Sequence, residues 1–546
     1  MLACETPIDR SPLMKVARTA AEVLSEHVSL TLECVDRMYL NVYVPLLQRG
    51  AGAFWFFREV RGAAVPSSVL MAPMTRRFVA AIKGYARQRR IDIVAFRRGE
   101  RKDDRTREYL RRWHGGEGVL YIGKAQEKAR VLRTERRHDP ATGAGYPWLV
   151  QSTAIVNQYY FYVFDDDFGP FFLKFCSYFP YNAKLCINGH EYLKRQLTKR
   201  GIAYESLDNG ILHCSDPGAM QRLADGLDAD RIDALLRKWL ARLPHPFAAG
   251  DRRRGIRYDI SILQAEFALT QIFDRPVQGR VFFEQVLREH LDMGRPEHVQ
   301  LIFKRRVTRR TPSRYRTRVI TDGVSPSLHV DYKHSRIKQY HKEGRALRTE
   351  TVVNDTYDFD VGRRLRNLDD LKKIGFAANR RLLGVQTLSH DCLLGAELLD
   401  DLHRPRCISG QRASALRFGD PRVQSLFAAL LRFSLLPNGF RNRDLRPAVA
   451  ALCGLPPDRY GPSRMTYDLR RLRLRKIIER IPRTQRYRLT DQGLRIALAY
   501  SRTRDRVLGP VLSATLDAKS NTRLPRTVAN YDREVQRAWR GQRLAA

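Results

Sequence analysis

Hydrophobic and polar positions change period several times along this chain of 546 residues. Apolar positions three and four apart predict a helical lead-in over residues 1–36. Alternation predicts a strand at residues 38–44, and the runs IDIVAF and GVLYIG predict two more strands, preceded by a helix over residues 75–90. Strand, helix and strand in this rhythm predict a mixed-sheet α/β domain over residues 37–217.

The middle of the chain alternates between strand and helix patterns. Its most aromatic stretch, NQYYFYVFDDDFGPFFLKFCSYFPYNAKLCING, predicts a hairpin that turns near Phe168 and a third strand that leads into a helix. The patterns predict a mostly helical segment over residues 218–298, a basic β-rich segment over 299–360 and a helical connector over 361–410. We therefore predict an α+β or α/β multidomain fold.

The carboxyl-terminal pattern is distinct because three helices precede a short hairpin. PRVQSLFAALLRFSLLPNGF, RNRDLRPAVAALCG and SRMTYDLRRLRLRKII predict the helices, IIERIPRTQRYRLT predicts two strands around a basic turn, and DQGLRIALAYSR begins a closing helix. This order over residues 417–500 resembles winged-helix DNA-binding proteins of the MarR and ArsR type. We assign residues 411–518 to a winged-helix domain and residues 519–546 to a basic flexible tail.

The winged-helix resemblance implies that the third helix enters the major groove and that the hairpin reaches the backbone or the minor groove. The apolar residues Met465, Leu469 and Leu472 lie on one side of that helix. The side chains expected to contact nucleic acid from the helix and the hairpin are Arg464, Thr466, Tyr467, Arg470, Arg471, Arg475, Arg483 and Arg486. A helical bundle with a charged surface, or a winged helix that contacts another protein, is the alternative.

The sequence before this region carries a second resemblance. The phrases FFLKFCSYFPYNAKLCINGHEYLKRQL and HSRIKQYHKEGRALRTET resemble a family of uncharacterised bacterial proteins with no settled activity. This resemblance implies a prokaryotic context, such as a mobile-element, replication or defence system, and no mechanism.

Charge narrows the class of partner. Lys and Arg number 98 against 58 Asp and Glu, which gives a formal net charge of +40 and a pI of about 10.4. A folded chain with this surplus repels itself, and a polyanion neutralises the repulsion. We therefore predict a protein that clamps nucleic acid with several basic modules, with DNA favoured over structured RNA.

Composition and motifs argue against several other classes. With 43% hydrophobic residues the chain can form packed cores. No stretch reaches the roughly 18 apolar residues of a membrane-spanning helix, and the amino terminus lacks the apolar core of a secretion signal. We expect a cytoplasmic protein that does not enter the membrane. None of the eight cysteines lies in a CxxC and GxxxxGK[ST] is absent, which argues against zinc ribbons and ATP-driven activity. The oligomeric state stays open.

One set of residues suggests phosphodiester cleavage. Asp322 ends a predicted strand, and LHVDYK places Asp331 and Lys333 two apart on the next strand. This spacing resembles the PD-(D/E)xK nucleases, although Thr321 stands where that family has proline. The resemblance implies a catalytic set of Asp322, Asp331 and Lys333, with Mg²⁺ or Mn²⁺ held by the two aspartates, and Glu350 could join Asp331 across a hairpin. A metal-dependent nuclease or transposase-like enzyme is thus the alternative function, and a charged surface hairpin is the structural alternative.

Two further acidic groups have structural alternatives. The run Asp165 to Asp167 resembles the metal-binding hairpins of polymerase palms, but an acidic turn explains it more simply. Glu100, Asp103 and Asp104 follow a strand, where α/β active sites lie. Their basic neighbours instead predict the start of a helix, where acidic side chains favour the helix dipole.

Overall fold

The computed structural model describes residues 20–508, except 64–66, 98–99, 139, 291–315, 323–324, 343–344, 388–395, 409 and 435–437, together with residue 530. The chain divides into two compact units. The sheet unit comprises Glu22–Phe283 and His298–Arg380, and the helical unit is formed mainly by Arg381–Ala546. Within the part of the chain that is described, no helix has both the length and the hydropathy needed to cross a membrane.

An eleven-stranded sheet dominates the sheet unit. Neighbouring strands pair antiparallel, apart from one parallel pair at an edge. The sheet strands are β1 (Val28–Tyr43), β2 (Ile93–Ala95), β3 (Gly118–His138), β4 (Gly145–Asp165), β5 (Gly169–Cys176), β6 (Ala183–Asn188), β9 (Asp259–Phe273), β10 (Arg316–Asp322), β11 (Ser325–Tyr332), β12 (Ser335–Lys342) and β13 (Ala346–Val353). A separate hairpin contains β7 (Tyr204–Leu207) and β8 (Gly210–Cys214). The order across the sheet is β10-β11-β12-β13-β9-β1-β6-β5-β4-β3-β2.

The helices before the second unit are mostly connections between these strands. They are α1 (Ala20–His27), α2 (Gly50–Trp55), α3 (Ser68–Gln88), α4 (Lys102–Arg112), α5 (Gly189–Lys199), α6 (Pro217–Asp225), α7 (Ala229–Arg242), α8 (Ala249–Arg253), α9 (Pro276–His290) and α10 (Leu368–Gln386). The predicted α+β class is therefore confirmed. The acidic start predicted near Glu100 is also confirmed, since Asp103 and Asp104 lie in the first turn of α4.

The two faces of the large sheet differ in their cover. On one face, side chains such as Leu40 and Leu173 form an extended apolar core with residues of α3, α7 and α10. On the other face, α5 and α6 pack over one end of β1, and α4 packs over tyrosines of β3 and β4. A row of half-buried polar residues crosses this second face, because Asn41 pairs with Lys184 and Lys184 with Lys174.

A β-bulge interrupts the pairing of the two central strands. Val35 pairs with Phe267 and Met38 with Ala265, so that two residues of β1 oppose the single Glu266 of β9. Bulges of this kind re-aim side chains and are frequent beside functional sites. Here the extra residue is Asp36 or its neighbour Arg37.

Three sequence predictions differ from the structure in part. Of the lead-in expected to be helical over residues 1–36, residues 1–19 lie outside the described residues, α1 is helical, and β1 begins at Val28. The segment predicted to be mostly helical over 218–298 does contain the helices α6 to α9, but it also contains the central strand β9. Most of its residues are buried, and a strand covered on both faces lacks the alternation that distinguishes a strand from a helix. Strands of the predicted 37–217 and 299–360 segments belong to one sheet.

The helical unit has the predicted order of three helices, hairpin and helix. After α11 (Ala396–His403), β14 (Arg406–Ile408) and β15 (Gln411–Ala413), its elements are α12 (Pro421–Phe433), α13 (Asn442–Leu452), α14 (Pro462–Leu474), β16 (Ile478–Arg480), β17 (Tyr487–Leu489) and α15 (Asp491–Arg502). An isolated bridge between Phe440 and Tyr487 adds a third strand position to the hairpin. Apart from residue 530, the predicted tail over 519–546 lies outside the described residues.

Candidate nucleic-acid interface and carboxylate cluster

One side of α14 is exposed and basic. Arg464, Thr466, Tyr467 and Arg470 are exposed, and Met465 on the other side is buried, as predicted. The guanidinium of Arg464 lies 5.4 Å from the Tyr460 ring centroid, and that of Arg470 lies 5.9 Å from the Tyr467 ring centroid. These stacked cations leave their N–H groups at the surface, where they can bind phosphate or base edges.

Arg473 extends the same surface by one turn. It is exposed and lies three residues after Arg470, which places the two side chains at neighbouring positions on the helix surface. The sequence prediction omitted Arg473, although its spacing from Arg470 was a sufficient signal. Thr466, which was predicted, also contributes to the fold, because its hydroxyl accepts a hydrogen bond from Asn442 Nδ2 at 3.0 Å and so ties α14 to α13.

The predicted contact with nucleic acid is wrong for two arginines at the carboxyl-terminal end of α14. Arg471 and Arg475 were predicted to contact nucleic acid, but they are only 5% and 9% exposed. Arg471 Nη1 donates to the Ala415 carbonyl at 3.4 Å, and Arg475 Nη1 donates to the Asp401 carbonyl at 2.8 Å. The helix therefore has a second covered side, formed by the segment from α11 to residue 415. Helical spacing within α14 cannot reveal that cover.

The carboxylate of Asp468 explains why Arg471 is buried next to the exposed basic side of α14. This carboxylate is fully buried and accepts two hydrogen bonds from Arg422, at 3.1 and 2.6 Å. The Tyr460 hydroxyl also donates to it, and Arg471 Nη2 lies 3.0 Å from its second oxygen. A buried carboxylate needs such partners, so this network joins α12, α14 and the preceding turn.

The predicted hairpin residues differ from each other. Arg483 is exposed and has a left-handed backbone (φ 59°) in the turn between β16 and β17. Arg486 is half-buried, and its Nη1 donates to the carbonyls of Asn438 and Gly439 at 3.4 and 3.2 Å. Arg483 can therefore contact a ligand at the tip of the hairpin, while Arg486 holds the hairpin against the preceding loop.

The predicted PD-(D/E)xK arrangement does not form. Asp322 pairs with Ser325 at the hairpin turn, whereas Asp331 lies six residues further along β11, which separates their backbones by about 20 Å at ~3.3 Å per residue. Lys333 lies in the following turn with φ 49°, and its Nζ donates to the Asp358 carbonyl at 3.1 Å. Asp322 and Asp331 are thus too far apart to share one metal ion, and the predicted catalytic and metal set is wrong.

Glu350, the fourth predicted residue, has different carboxylate neighbours. One oxygen each of Asp36, Glu266 and Glu350 lies within 4.8 Å of the others. The bulge in β1 brings Asp36 opposite Glu266, and Glu350 pairs with Ala268, two residues along β9 from Glu266. We call these three side chains the carboxylate cluster.

Cationic and hydroxyl groups surround Glu350 within the cluster. Lys338 Nζ lies 2.6 Å from Glu350 Oε2, and the Tyr340 hydroxyl donates to Oε1 at 2.7 Å. Burial raises the pKa of Glu266; Asp36 and Glu350 add to this effect, while Lys338 opposes it. The site therefore makes Glu266 easier to protonate than an exposed glutamate.

Arg348 supports the cluster from the side of α5. Its side chain is fully buried, and Nη1 lies 3.7 Å from an oxygen of both Asp36 and Glu350. Nη2 donates to His190 Nε2 at 3.0 Å. Burial, with the charge of Arg348 adding to it, holds the pKa of His190 well below its usual range, so the imidazole is neutral and can accept this bond.

The carboxylate cluster suits two chemical roles. Carboxylate oxygens at this spacing are the ligands that Mg²⁺ and Mn²⁺ prefer, and the three side chains would hold such an ion. Lys338 and Arg348 also supply positive charge to the same oxygens, so that a buried ion network explains the group without a metal. The geometry fits a divalent ion but does not require one.

The acidic turn at residues 165–167 is structural. Asp165 is buried, and one of its oxygens accepts the backbone N–H groups of Asp167 and Phe168 at 2.9 and 3.1 Å. Its other oxygen accepts from Lys238 and Trp239, each at 2.8 Å. The simpler of the two predictions is therefore confirmed, because Asp165 closes the turn and anchors α7.

Sequence reasoning missed Asp36 and Glu266. A signal was present, since each is an acidic residue in a largely apolar strand, in LECVDRMY and LQAEFAL. Buried acidic residues are rare unless they are paired or bind an ion. The partners of Asp36 and Glu266 come from strands far away in the chain, so that their convergence required the fold.

Comparisons of the chain with models of known protein families, with curated proteins and with solved structures found no match.

Proposed function

We propose that the protein binds nucleic acid, with duplex DNA as the ligand of the helical unit. The observation that carries the proposal is the exposed basic side of α14, formed by Arg464, Arg470 and Arg473. An α-helix fits the major groove, where arginine can bind guanine or the backbone. The net charge of +40 supports a polyanionic partner.

The element order of the helical unit supports a winged-helix interpretation. Three helices lead into a hairpin whose tip carries the exposed Arg483. With α14 in the major groove, a wing of this kind would reach the adjacent backbone. The helix would then fix the register on the duplex and the hairpin would add a phosphate contact.

A salt titration of duplex binding tests the proposal. We compare the full chain with the Arg464→Ala/Arg470→Ala variant by fluorescence anisotropy on a labelled duplex. Each lost phosphate contact should reduce the slope of log K against log salt by about 0.9. Arg432→Ala/Arg495→Ala removes two exposed charges from α12 and α15 and is the matched control. If the double variant binds like the control, or the full chain binds no duplex, the proposal is wrong.

The carboxylate cluster favours a second candidate, a metal-dependent phosphodiesterase. A bound divalent ion would polarise a phosphoryl oxygen and activate water. Asp36, Glu266 and Glu350 would hold the ion, and Lys338 would neutralise charge beside it. Mg²⁺- or Mn²⁺-dependent cleavage of DNA that Glu350→Gln abolishes would support this candidate, whereas calorimetry that detects no binding of either metal would exclude it.

A further inference from the structure

A groove lies beside the carboxylate cluster, where β5 ends and β6 begins, and residues of both faces of the sheet line it. It encloses about 890 Å³ between the middle of the sheet, the outer part of the β3–β4 hairpin and the loop after β13. Its floor includes Asn41 of β1 and Gln264 of β9, and Gln264 Nε2 donates to Glu266 Oε1 at 3.0 Å. The groove thus ends next to the carboxylates.

Positive charge dominates the groove. Among the described residues that line it, the acidic one is Asp355, which already pairs with Arg363 at 3.0 Å. Lys174 is matched by Glu127 at 2.6 Å, but no described residue forms an ion pair with Lys128, Arg130 or Arg364. The surplus suits a polyanion. The basic lining residues are Lys128, Arg130, Lys174, Lys184, Arg363 and Arg364.

The groove is also rich in carboxamides. They come from six parts of the sheet unit. Several are already engaged within the protein, since Gln264 Nε2 donates to Glu266 Oε1 and Gln48 Nε2 donates to Asn182 Oδ1 at 2.9 Å. Asn41 is half-buried, and no hydrogen bond joins its side chain to another described residue. Its amide offers both a donor and an acceptor, which is the pairing that reads base edges.

An exposed aromatic ring lies at the rim. Tyr357 is 58% exposed, and the Arg363 guanidinium lies 5.5 Å from its ring centroid. Unpaired bases stack on tyrosine rings and on arginine planes, at a gain of about 1–3 kcal/mol per base. The rim therefore offers a platform for a base that is not part of a duplex.

We propose that this groove binds a short single-stranded segment of nucleic acid. Lys128, Arg130 and Arg364 bind its phosphates, and Asn41 and Tyr357 contact its bases. Its volume lies within the range of about 300–1,000 Å³ found for small-ligand pockets, which is too small for a duplex. The inference rests on the proposed class of partner but assigns a separate site in the other unit.

Anisotropy with short oligonucleotides tests the proposal. The full chain is titrated into labelled single-stranded DNA, single-stranded RNA of the same sequence, and a blunt duplex. For Lys128→Ala/Arg130→Ala, the salt slope for the better-bound single strand should fall by about 1.4, at ~0.7 per phosphate contact. Duplex binding should be unchanged.

A control variant distinguishes an effect of the groove residues from a general effect of lost positive charge. Arg133→Ala/Arg137→Ala removes two exposed charges from the same strand, β3, outside the groove lining. Equal losses in both double variants, or competition by a mononucleotide as strong as by the oligonucleotide, would overturn the proposal. The Arg464→Ala/Arg470→Ala variant of α14 should lose duplex binding and keep single-strand binding. A change in its duplex binding therefore tests the helical unit alone, and the two proposals can fail independently of each other.

Discussion

Two adjacent arginines of α14 should affect different properties when each is replaced by alanine: Arg470 should affect duplex binding, and Arg471 should affect stability. Arg470 is exposed, whereas Arg471 is 5% exposed and lies 3.0 Å from the buried Asp468 carboxylate. The substitutions remove the same side chain from consecutive positions. They therefore separate contact with DNA from support of the fold.

The magnitudes follow from the partners of each side chain. Arg471→Ala removes a charge-assisted contact, typically worth about 1.5–3 kcal/mol. The cost stays below the roughly 3–5 kcal/mol of an unpaired buried charge, because Arg422 and Tyr460 still bond to Asp468. Arg470→Ala should change the unfolding free energy by no more than about 0.5 kcal/mol, as for most surface substitutions.

Urea unfolding and duplex anisotropy on the full chain measure the two effects. We expect Arg471→Ala to lower the unfolding midpoint of the helical unit and to leave the salt slope of binding unchanged under native conditions. Arg470→Ala should keep the midpoint and reduce the slope by about 0.9. An Arg471→Ala variant with normal stability and weakened binding would refute the assignment of a covered second side to α14.

Three further predictions concern the sheet unit. Arg348→Met should lower the unfolding free energy by about 3–5 kcal/mol, because it removes the buried cation that lies 3.7 Å from both Asp36 and Glu350; thermal unfolding measures the loss. Glu117 lies in a partly buried site that alone would raise its pKa, but hydrogen bonds from Lys238 and Arg242 hold the pKa at about 2. A depressed carboxyl pKa stabilises the fold above the unfolded value of about 4.3 and loses that effect as the pH falls towards the folded value, so Glu117→Gln should flatten acid unfolding in that window. A Cβ at Gly189 would lie 2.0 Å from the Val35 carbonyl oxygen, and Gly189→Ala should therefore destabilise the start of α5, visible as faster hydrogen exchange there.

The sequence predicted the local patterns better than the contacts between distant segments. Met465, Leu469 and Leu472 share the buried side of α14 as expected, because helical period alone decides which residues align. Arg471 was misassigned because its cover comes from a distant part of the chain, at Ala415. The period within one helix contains no information about such a neighbour.

The same limit applies to the candidate chemistry. Spacing suggested that Asp331 and Lys333 act together on one strand. Asp331 does lie in β11, but Lys333 lies in the following turn and bonds to the Asp358 carbonyl. Glu350 was identified, yet its partners Asp36 and Glu266 depend on a bulge and on a sheet order that joins β1, β9 and β13. An acidic residue in an apolar strand was the available signal, and it indicates burial without naming a partner.

The protonation of Glu266 distinguishes the two explanations of the carboxylate cluster. Burial raises its pKa, so the folded state favours the protonated form, and the ionised form costs stability once the pH exceeds the unfolded value of about 4.3. In a pure ion network, Glu266→Gln should therefore stabilise the protein at neutral pH and change little in acid. A divalent ion bound by the cluster adds a stabilisation that grows with metal concentration, and the same substitution would remove it. Thermal unfolding of both proteins with and without Mn²⁺ decides the matter. A metal-dependent rise in Tm confined to the wild type supports an ion site. A Tm that is higher for Glu266→Gln and unaffected by Mn²⁺ in both proteins leaves the cluster as a network of charges that positions β1, β9 and β13.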